Sequence, residues 1–380
     1  MKVFFPFVGD SIGGSYITVV RLIKALAHSS VEPLVALHRP GVLAKYLDDV
    51  QVPYVFLPQS KYLTAHKPRK VIRQFFTIAP PLARFLREYN VDIVHVNDNR
   101  MYWTWPVPTL LARKKFLLHL RTLTNEAHHP IHRKLMFKAH SIICDSEQVW
   151  NSLQPEHRVH ATVIRSAIDW NRAIPNRIDA RVQMQLRLGC AEGTAVIGFF
   201  ANFIERKRPL MFVEVAACLA RAYPGPVVFV MFGEDRDQFA QAVRTLAAER
   251  GIAKQLHIMG FDAAVEARMA GCDLLIVPAV REPLGLTLLE GCCVGTPVVA
   301  ADDAGHREIF GTVLPEWLAR PDDPAAFCKA ALAIFRNPQK SRVMLARARS
   351  KLATKFDIVR YASAVEQQYR DLLSHRLYGK

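Results

Sequence analysis

Two carboxylates eight residues apart, Glu282 and Glu290, bracket a glycine and an apolar run in Arg281-Glu282-Pro283-Leu284-Gly285-Leu286-Thr287-Leu288-Leu289-Glu290. Gly285 frees the backbone for a tight turn into a helix. That turn leaves Glu282 in the loop beside the unpaired first-turn amides and carries Glu290 onto the helix itself. One carboxylate can then meet the reacting end of a ligand and the other a more distant pair of hydroxyls. The amides of Leu284, Gly285, Leu286 and Thr287 lie at the positive end of the helix dipole and suit an anion such as a phosphate. A phosphorylated sugar carrier matches all three features. Glutamates near a helix start are also common on solvated faces, so the flanks carry the weight. Cys272-Asp273-Leu274-Leu275-Ile276-Val277-Pro278 leads in and Pro297-Val298-Val299-Ala300-Ala301 follows. Both have strand length and little charge, which sets the motif outside the carboxyl end of a parallel strand, where open α/β sheets bind ligands.

A second cluster, Phe199-Phe200-Ala201-Asn202-Phe203-Ile204-Glu205-Arg206-Lys207-Arg208-Pro209-Leu210, runs from a strand end into basic residues at a helix start, a composition suited to a diphosphate. Gly13-Gly14-Ser15 follows the first strand, and glycine there lets a backbone approach a phosphate. Gly9 and Gly13 are four apart, so this is not the G-x-G-x-x-G dinucleotide fingerprint and a nicotinamide enzyme is a poor reading.

The glutamate run, continued by Gly291-Cys292-Cys293-Val294-Gly295-Thr296-Pro297-Val298-Val299-Ala300, resembles the Glu-x7-Glu signature of the retaining glycosyltransferases of family 4. The usual wording there is E-P-F-G-L-x-x-x-E-A-x-x-x-G-x-P-V-V, with Leu284 standing here for the aromatic residue. In the segment similar to the family's G-R-x-x-x-x-K-G, Lys207 falls on the lysine and Asn202 on the arginine, with Arg206 placed to substitute. The resemblance implies that Lys207, helped by Arg206, stabilises charge on a leaving diphosphate. It also implies that Glu282 orients the donor sugar, that Glu290 holds the ribose hydroxyls, and that the strand end Leu256 to Phe261 carries the base.

For the first half, the resemblance implies that Gly13 and Gly14 lie near donor phosphates and acceptor. His119, in Phe116-Leu117-Leu118-His119-Leu120-Arg121, is then close to the transferred sugar, with Arg121 as a further substrate contact. Asp92-Ile93-Val94-His95-Val96-Asn97 is similar to the family's D-I-V-H-x-H/N strand, where His95 reads as buried scaffold. Cys144-Asp145-Ser146-Glu147 resembles its V-S-E element. Val163 to Asp169 resembles its I-P-N-G-V-D, with Ser166-Ala167 replacing Asn-Gly. Asp235-Arg236-Asp237 spells the metal-binding Asp-x-Asp of the other main glycosyltransferase fold, but its place after a strand makes it structural. No metal or cofactor is expected, the nucleoside-diphosphate sugar being a substrate.

These residues need a doubly wound scaffold. Apolar runs of strand length alternate with helical patterns throughout: Val3–Val8, Leu34–Leu37, Tyr54–Leu57, Asp92–Val96, Phe116–Leu120 and Ser141–Cys144 in the first half. Ala195–Phe200, Val227–Phe232, Gln255–Met259, Leu274–Val277 and Val298–Ala301 follow in the second. Tyr16, Val19, Val20, Ile23, Leu26 and Ala27 share one helical face. The expected architecture is α/β, the GT-B fold: two Rossmann-like domains facing a cleft. The first is an acceptor domain at 1–168, followed by an Arg-rich hinge at 169–190 and a donor domain at 191–357, and a last helix at 358–380 returns to the first domain.

The chain of 380 residues is 51% hydrophobic and 22% charged, a globular composition. No run approaches a membrane span or signal peptide, which predicts a soluble cytoplasmic protein. Seven cysteines without Cys-x-x-Cys read as reduced thiols. Net charge is +16, and residues 1–170 hold 22 Lys/Arg against 12 Asp/Glu. Clusters at Lys61, Lys67, Arg69, Lys70 and Arg73, at Arg113 to Lys115, and at Arg133, Lys134 and Lys138 therefore point to an anionic acceptor or to the anionic inner face of a membrane. No nucleic-acid motif accompanies them. The expected activity is transfer of a sugar to a glycan or lipid-linked acceptor in cell-surface polysaccharide or glycolipid synthesis. The competing readings are a nucleotide-sugar epimerase of the same fold and a catalytically silent nucleotide- or membrane-binding scaffold.

Overall fold

A computed structural model describes residues 1–59, 61–63, 68–98, 100–123, 139–235 and 237–374. Two compact units emerge, Met1–Asp169 with Phe356–Lys380, and Trp170–Lys355.

The first unit is a seven-stranded sheet of β1 (Lys2–Phe7), β2 (Glu32–Leu37), β3 (Tyr54–Phe56), β4 (Ile93–Val96), β5 (Lys115–Leu120), β6 (Ser141–Cys144) and β7 (Ala161–Val163). Every pairing is parallel and the order is β3-β2-β1-β4-β5-β6-β7. Val3, Phe4, Phe5 and Phe7 are all buried, as expected of a parallel strand covered on both faces. Helix Gly14–Ala25 buries Tyr16, Val19, Val20 and Ile23 on the face their spacing predicts.

Helix Ile358–Leu373 also belongs to this unit. Asp357 caps it by accepting from Arg360 N at 2.9 Å, and Ile358, Tyr361, Ala362, Val365, Tyr369 and Leu372 form its buried stripe. The chain leaves the unit and rejoins it at one point. Ile168 bridges Asp357 in parallel, and its N–H donates to Phe356 O at 3.2 Å.

The second unit is a six-stranded parallel sheet of β8 (Ala195–Phe200), β9 (Val227–Phe232), β10 (Leu256–Gly260), β11 (Leu274–Val277), β12 (Val298–Ala301) and β13 (Leu318–Ala319). Its order is β10-β9-β8-β11-β12-β13. The winding reverses between β8 and β11, so the loops leaving their carboxyl ends part to opposite faces and open a crevice. The expected hinge at 169–190 begins where the chain passes from one unit to the other. From Trp170 on its residues lie in this unit, and helix Arg177–Leu188 is pinned to it by the arginines that make it look solvated. Arg177 Nη1 donates to Thr296 Oγ1 at 2.5 Å and Arg181 Nη1 to Asp273 Oδ2 at 2.5 Å.

Among the described residues no helix is long and apolar enough to cross a membrane, and the seven cysteines are free thiols.

Candidate functional site

The loops that leave β8 and β11 meet at Glu282. Its Oε2 accepts from Arg206 Nη1 and, at 2.7 Å, from Lys207 Nζ. Val280 N donates to Arg206 O at 3.0 Å, stitching the two loops along their backbones. Burial opposes the charge on Glu282, but the Lys207 and Arg206 cations outweigh it and hold the carboxyl at about 2. Burial pulls Lys207 below the ordinary lysine value, against the pull of Glu282. Glu290 lies on helix Leu286–Cys293, within electrostatic reach of Lys207. Arg206, Lys207, Glu282 and Glu290 therefore gather at the crevice, with one carboxylate holding two cations.

Gly285 takes φ +100°, and a side chain at this position would begin 2.6 Å from His306 Cδ2 and 3.7 Å from Glu282 Cγ. The loop it closes is also tied to the turn after β12. Arg281 N donates to Asp303 Oδ2 at 2.5 Å, and Gly305 N donates to Glu282 O at 2.9 Å. Leu284 is buried, its backbone pressed on Gly305. Three non-glycine residues around this loop, Arg208, Arg281 and Ala304, hold positive φ. Such conformations cost about 1–3 kcal/mol each and gather at functional sites.

His306 is a member that the sequence did not announce: a single histidine after a glycine carries no motif. It is fully buried, and Nδ1 lies 3.1 Å from Ala301 O. A carbonyl can only accept, so Nδ1 carries the hydrogen. Burial drives the ring's pKa down to about 4, leaving it neutral. Nε2 is thus a bare acceptor under Gly285, without a hydrogen-bond partner among the described residues.

Asn202 turns to the backbone: its Oδ1 accepts from Glu234 N at 3.1 Å. Gly233 beside it has no room for a side chain, which would start 1.9 Å from Ala201 O. Asn202 therefore ties the ends of β8 and β9 together. Phe261 follows β10 and is 53% exposed, an aromatic face open at a strand end. Asp235 Oδ2 accepts from Ala240 N at 3.2 Å near the start of helix Phe239–Glu249. Arg236 lies outside the described residues.

In the first unit, side chains added at Gly13 or Gly14 would meet nothing within 4 Å. The protein's own packing does not demand glycine there. Beside this loop Arg100 binds Asp10 at 2.6 Å, Ser11 at 3.0 Å, Tyr16 at 2.6 Å and Asp98 at 3.2 Å, a network no motif revealed.

His119 is the penultimate residue of β5 and Arg121 directly follows the strand, and both are buried. Arg121 donates to Asn97 Oδ1 at 3.2 Å, to Tyr361 Oη at 2.9 Å and to Ser166 Oγ. The guanidinium expected to touch substrate is instead turned inward. His95 lies between His119 and Tyr369. Of the basic clusters, Lys67, Arg133, Lys134 and Lys138 lie outside the described residues, as do the side chains of Arg69, Lys70 and Arg73.

Residues 185–351, inside the second unit, match the family described as "Glycosyl transferases group 1". The chain is 26% identical over 378 residues to the 2-deoxystreptamine N-acetyl-D-glucosaminyltransferase of Streptomyces fradiae, covering 90% of this chain and 87% of that one. It is 27% identical over 384 residues to the D-inositol 3-phosphate glycosyltransferase of Nocardia farcinica, covering 90% and 81%. Among solved structures, Anabaena HepE in complex with UDP and glucose gives a TM-score of 0.82 at 18% identity, over 98% of this chain and all of that one. WaaG, a glycosyltransferase involved in lipopolysaccharide biosynthesis, gives 0.67 at 14% identity, over 96% and 98%.

Proposed function

We propose that this chain, which has the GT-B fold and matches the glycosyl transferases group 1 model over residues 185–351, is a glycosyltransferase that moves a sugar, with retention, from a nucleoside diphosphate to an acceptor hydroxyl. The observation that carries this reading is the convergence of Arg206, Lys207 and Glu282 at the sheet's reversal point. Two cations there suit a diphosphate. Lys207 and Arg206 take the charge that grows on the leaving phosphate, the amides of Leu284 to Thr287 share it, Glu282 orients the sugar and Glu290 the ribose. Phe261 offers its exposed ring to the base. Within the first unit, the unobstructed glycines Gly13 and Gly14 suit an anionic or hydroxyl ligand, and the strand-end His119 suits a sugar oxygen.

We take the attack to be on the same face, and a carboxylate held at about 2 by its two cations is a poor proton acceptor, which leaves the acceptor's proton to the departing phosphate. The bond from the anomeric carbon to phosphate oxygen breaks while the bond to the acceptor oxygen forms, and the departing phosphate takes the acceptor's proton. Charge compensation by side chains and amides removes the need for a metal.

The acceptor in this reading is a glycan or lipid-linked hydroxyl, with the +16 charge favouring work at an anionic inner membrane face. A small polyol is the second reading, supported by the cyclitol acceptors in the names of two relatives that each span 90% of this chain.

The test is a screen of nucleotide sugars for thermal stabilisation, followed by transfer to glycolipid and cyclitol acceptors. A ligand at 100 times its Kd adds about 2.7 kcal/mol. Donor isomerisation without acceptor would assign an epimerase instead, and binding without any turnover a silent scaffold.

A further inference from the structure

A guanidinium has five N–H donors and no acceptor, and it stays charged at any working pH. Arg121 therefore sets the direction of every hydrogen bond in the buried chain it heads. Its Nη2, whose two hydrogens also serve Asn97 Oδ1 at 3.2 Å and Tyr361 Oη at 2.9 Å, lies 3.3 Å from His119 Nδ1, and a bare Nδ1 avoids setting N–H against N–H there. His95 Nε2 lies 3.2 Å from the same nitrogen, and by bringing a hydrogen it shares the single lone pair of Nδ1 with Arg121 instead of setting two bare nitrogens against each other. His95 Nδ1 is then bare and takes the hydroxyl hydrogen of Tyr369, 2.6 Å away on the returning helix.

Both rings are fully buried. Burial drives their pKa values well below the ordinary histidine range, and the Arg121 charge adds to the effect. Both are neutral, and a neutral imidazole has one N–H. With Nδ1 bare, the hydrogen of His119 sits on Nε2. That nitrogen has no partner among the described residues. It belongs to the penultimate residue of β5, near the strand's carboxyl end, where this architecture binds ligands. A buried donor left without a partner is costly, a cost that an oxygen of a bound sugar would relieve.

We infer that Arg121 is a positioning residue that locks His119 as an Nε2–H donor toward a sugar oxygen and bars it from acting as a base. What the hydrogen is used for rests on the function proposed above; the lock itself does not.

Ring 15N spectra of 15N-histidine-labelled protein test it, with His119 and His95 assigned by the signals lost in H119Q and H95Q. At pH 7 the ligand-free protein should show His119 with a protonated Nε2 and a bare Nδ1. Arg121→Lys should keep that state, because lysine also only donates. Tyr369→Phe should keep it too, because the arginine and not the tyrosine sets the direction. Arg121→Met should admit a second population with the hydrogen on Nδ1 and lower kcat roughly 10- to 100-fold.

A wild-type His119 protonated on Nδ1, or a tautomer unchanged in Arg121→Met, overturns the lock. Should Arg121→Met fail to fold, the wild-type spectrum alone still decides. Full activity beside a mixed tautomer overturns the use of the hydrogen. Failure of the functional reading looks different: His119 locked as expected in a wild-type chain that transfers from no sugar nucleotide.

Discussion

One oxygen of Glu282, Oε2, receives hydrogens from two cations at once, Arg206 Nη1 and Lys207 Nζ. In the ligand-free protein the carboxylate therefore occupies the groups assigned to the diphosphate, and an incoming anion must compete with it. Glu282→Gln should bind inorganic phosphate or a nucleoside diphosphate about fivefold more tightly, the equivalent of roughly 1 kcal/mol for a partly exposed pair. It should transfer sugar more slowly. Titration calorimetry measures the first effect, and weaker anion binding by the variant contradicts the competition.

Lys207→Ala should separate catalysis from stability. Glu282 keeps Arg206 as a partner, so stability should change by no more than about 1 kcal/mol. The loss of a cation at the developing charge should lower kcat by roughly 100-fold or more. Near-normal turnover at saturating donor removes Lys207 from the mechanism.

Gly285→Ala meets two penalties, the positive φ and a side chain that begins 2.6 Å from His306 Cδ2. Together they should cost about 1–3 kcal/mol. Adding His306→Ala relieves the second, so the double variant should lose less than the sum of the singles. Additive losses in urea unfolding would show that the two residues do not press on each other.

Acid should weaken the fold well above the carboxylate range. His306 and His38 fall from the ordinary 6.5 to about 4 when buried. The unfolded chain therefore binds more protons between those values. Their stabilisation is complete above 6.5 and is lost as pH falls toward 4, at up to about 1.4 kcal/mol per pH unit for each group. The ion-paired Glu282 gives way lower, between 4.5 and about 2. Tm should drop between pH 7.5 and 5, and less steeply in His306→Asn. A flat profile over that range would sink this account.

Transfer should persist in excess EDTA, because Lys207, Arg206 and the loop amides already balance the phosphates. Asp235 has a backbone role at a helix start. Activity abolished by chelation and restored by Mg²⁺ or Mn²⁺ assigns a metal instead.

Much of the scaffold is legible in the chain. Ser141–Cys144, Ala195–Phe200, Val227–Phe232, Leu274–Val277 and Val298–Ala301 begin and end where their apolar runs do, because a strand covered on both faces needs apolar residues at every position. β7 and β13 escape notice because Ala161-Thr162-Val163 and Leu318-Ala319 hold too little apolar surface to make a pattern, whereas the equally short edge strand β3 carries two aromatic residues. At the site, the residue types can be read but their pairing cannot. Lys207 and Glu282 are 75 positions apart, and only the order of β8 beside β11 brings their loops together. The direction in which Asn202 and Arg121 turn is equally hidden, since each is decided by neighbours supplied from other strands.

The bridge between Ile168 and Asp357 makes the second unit an insertion in the first. During synthesis the second unit is contiguous and can close as soon as it emerges. The first unit, though begun before the second, must wait for helix Ile358–Leu373. Until Tyr361 and Tyr369 arrive, Arg121 and His95 lack partners that the finished core supplies. The unit begun before the second is thus completed after it, and a chain stopped short of residue 358 should emerge with a folded second unit and an unfinished first.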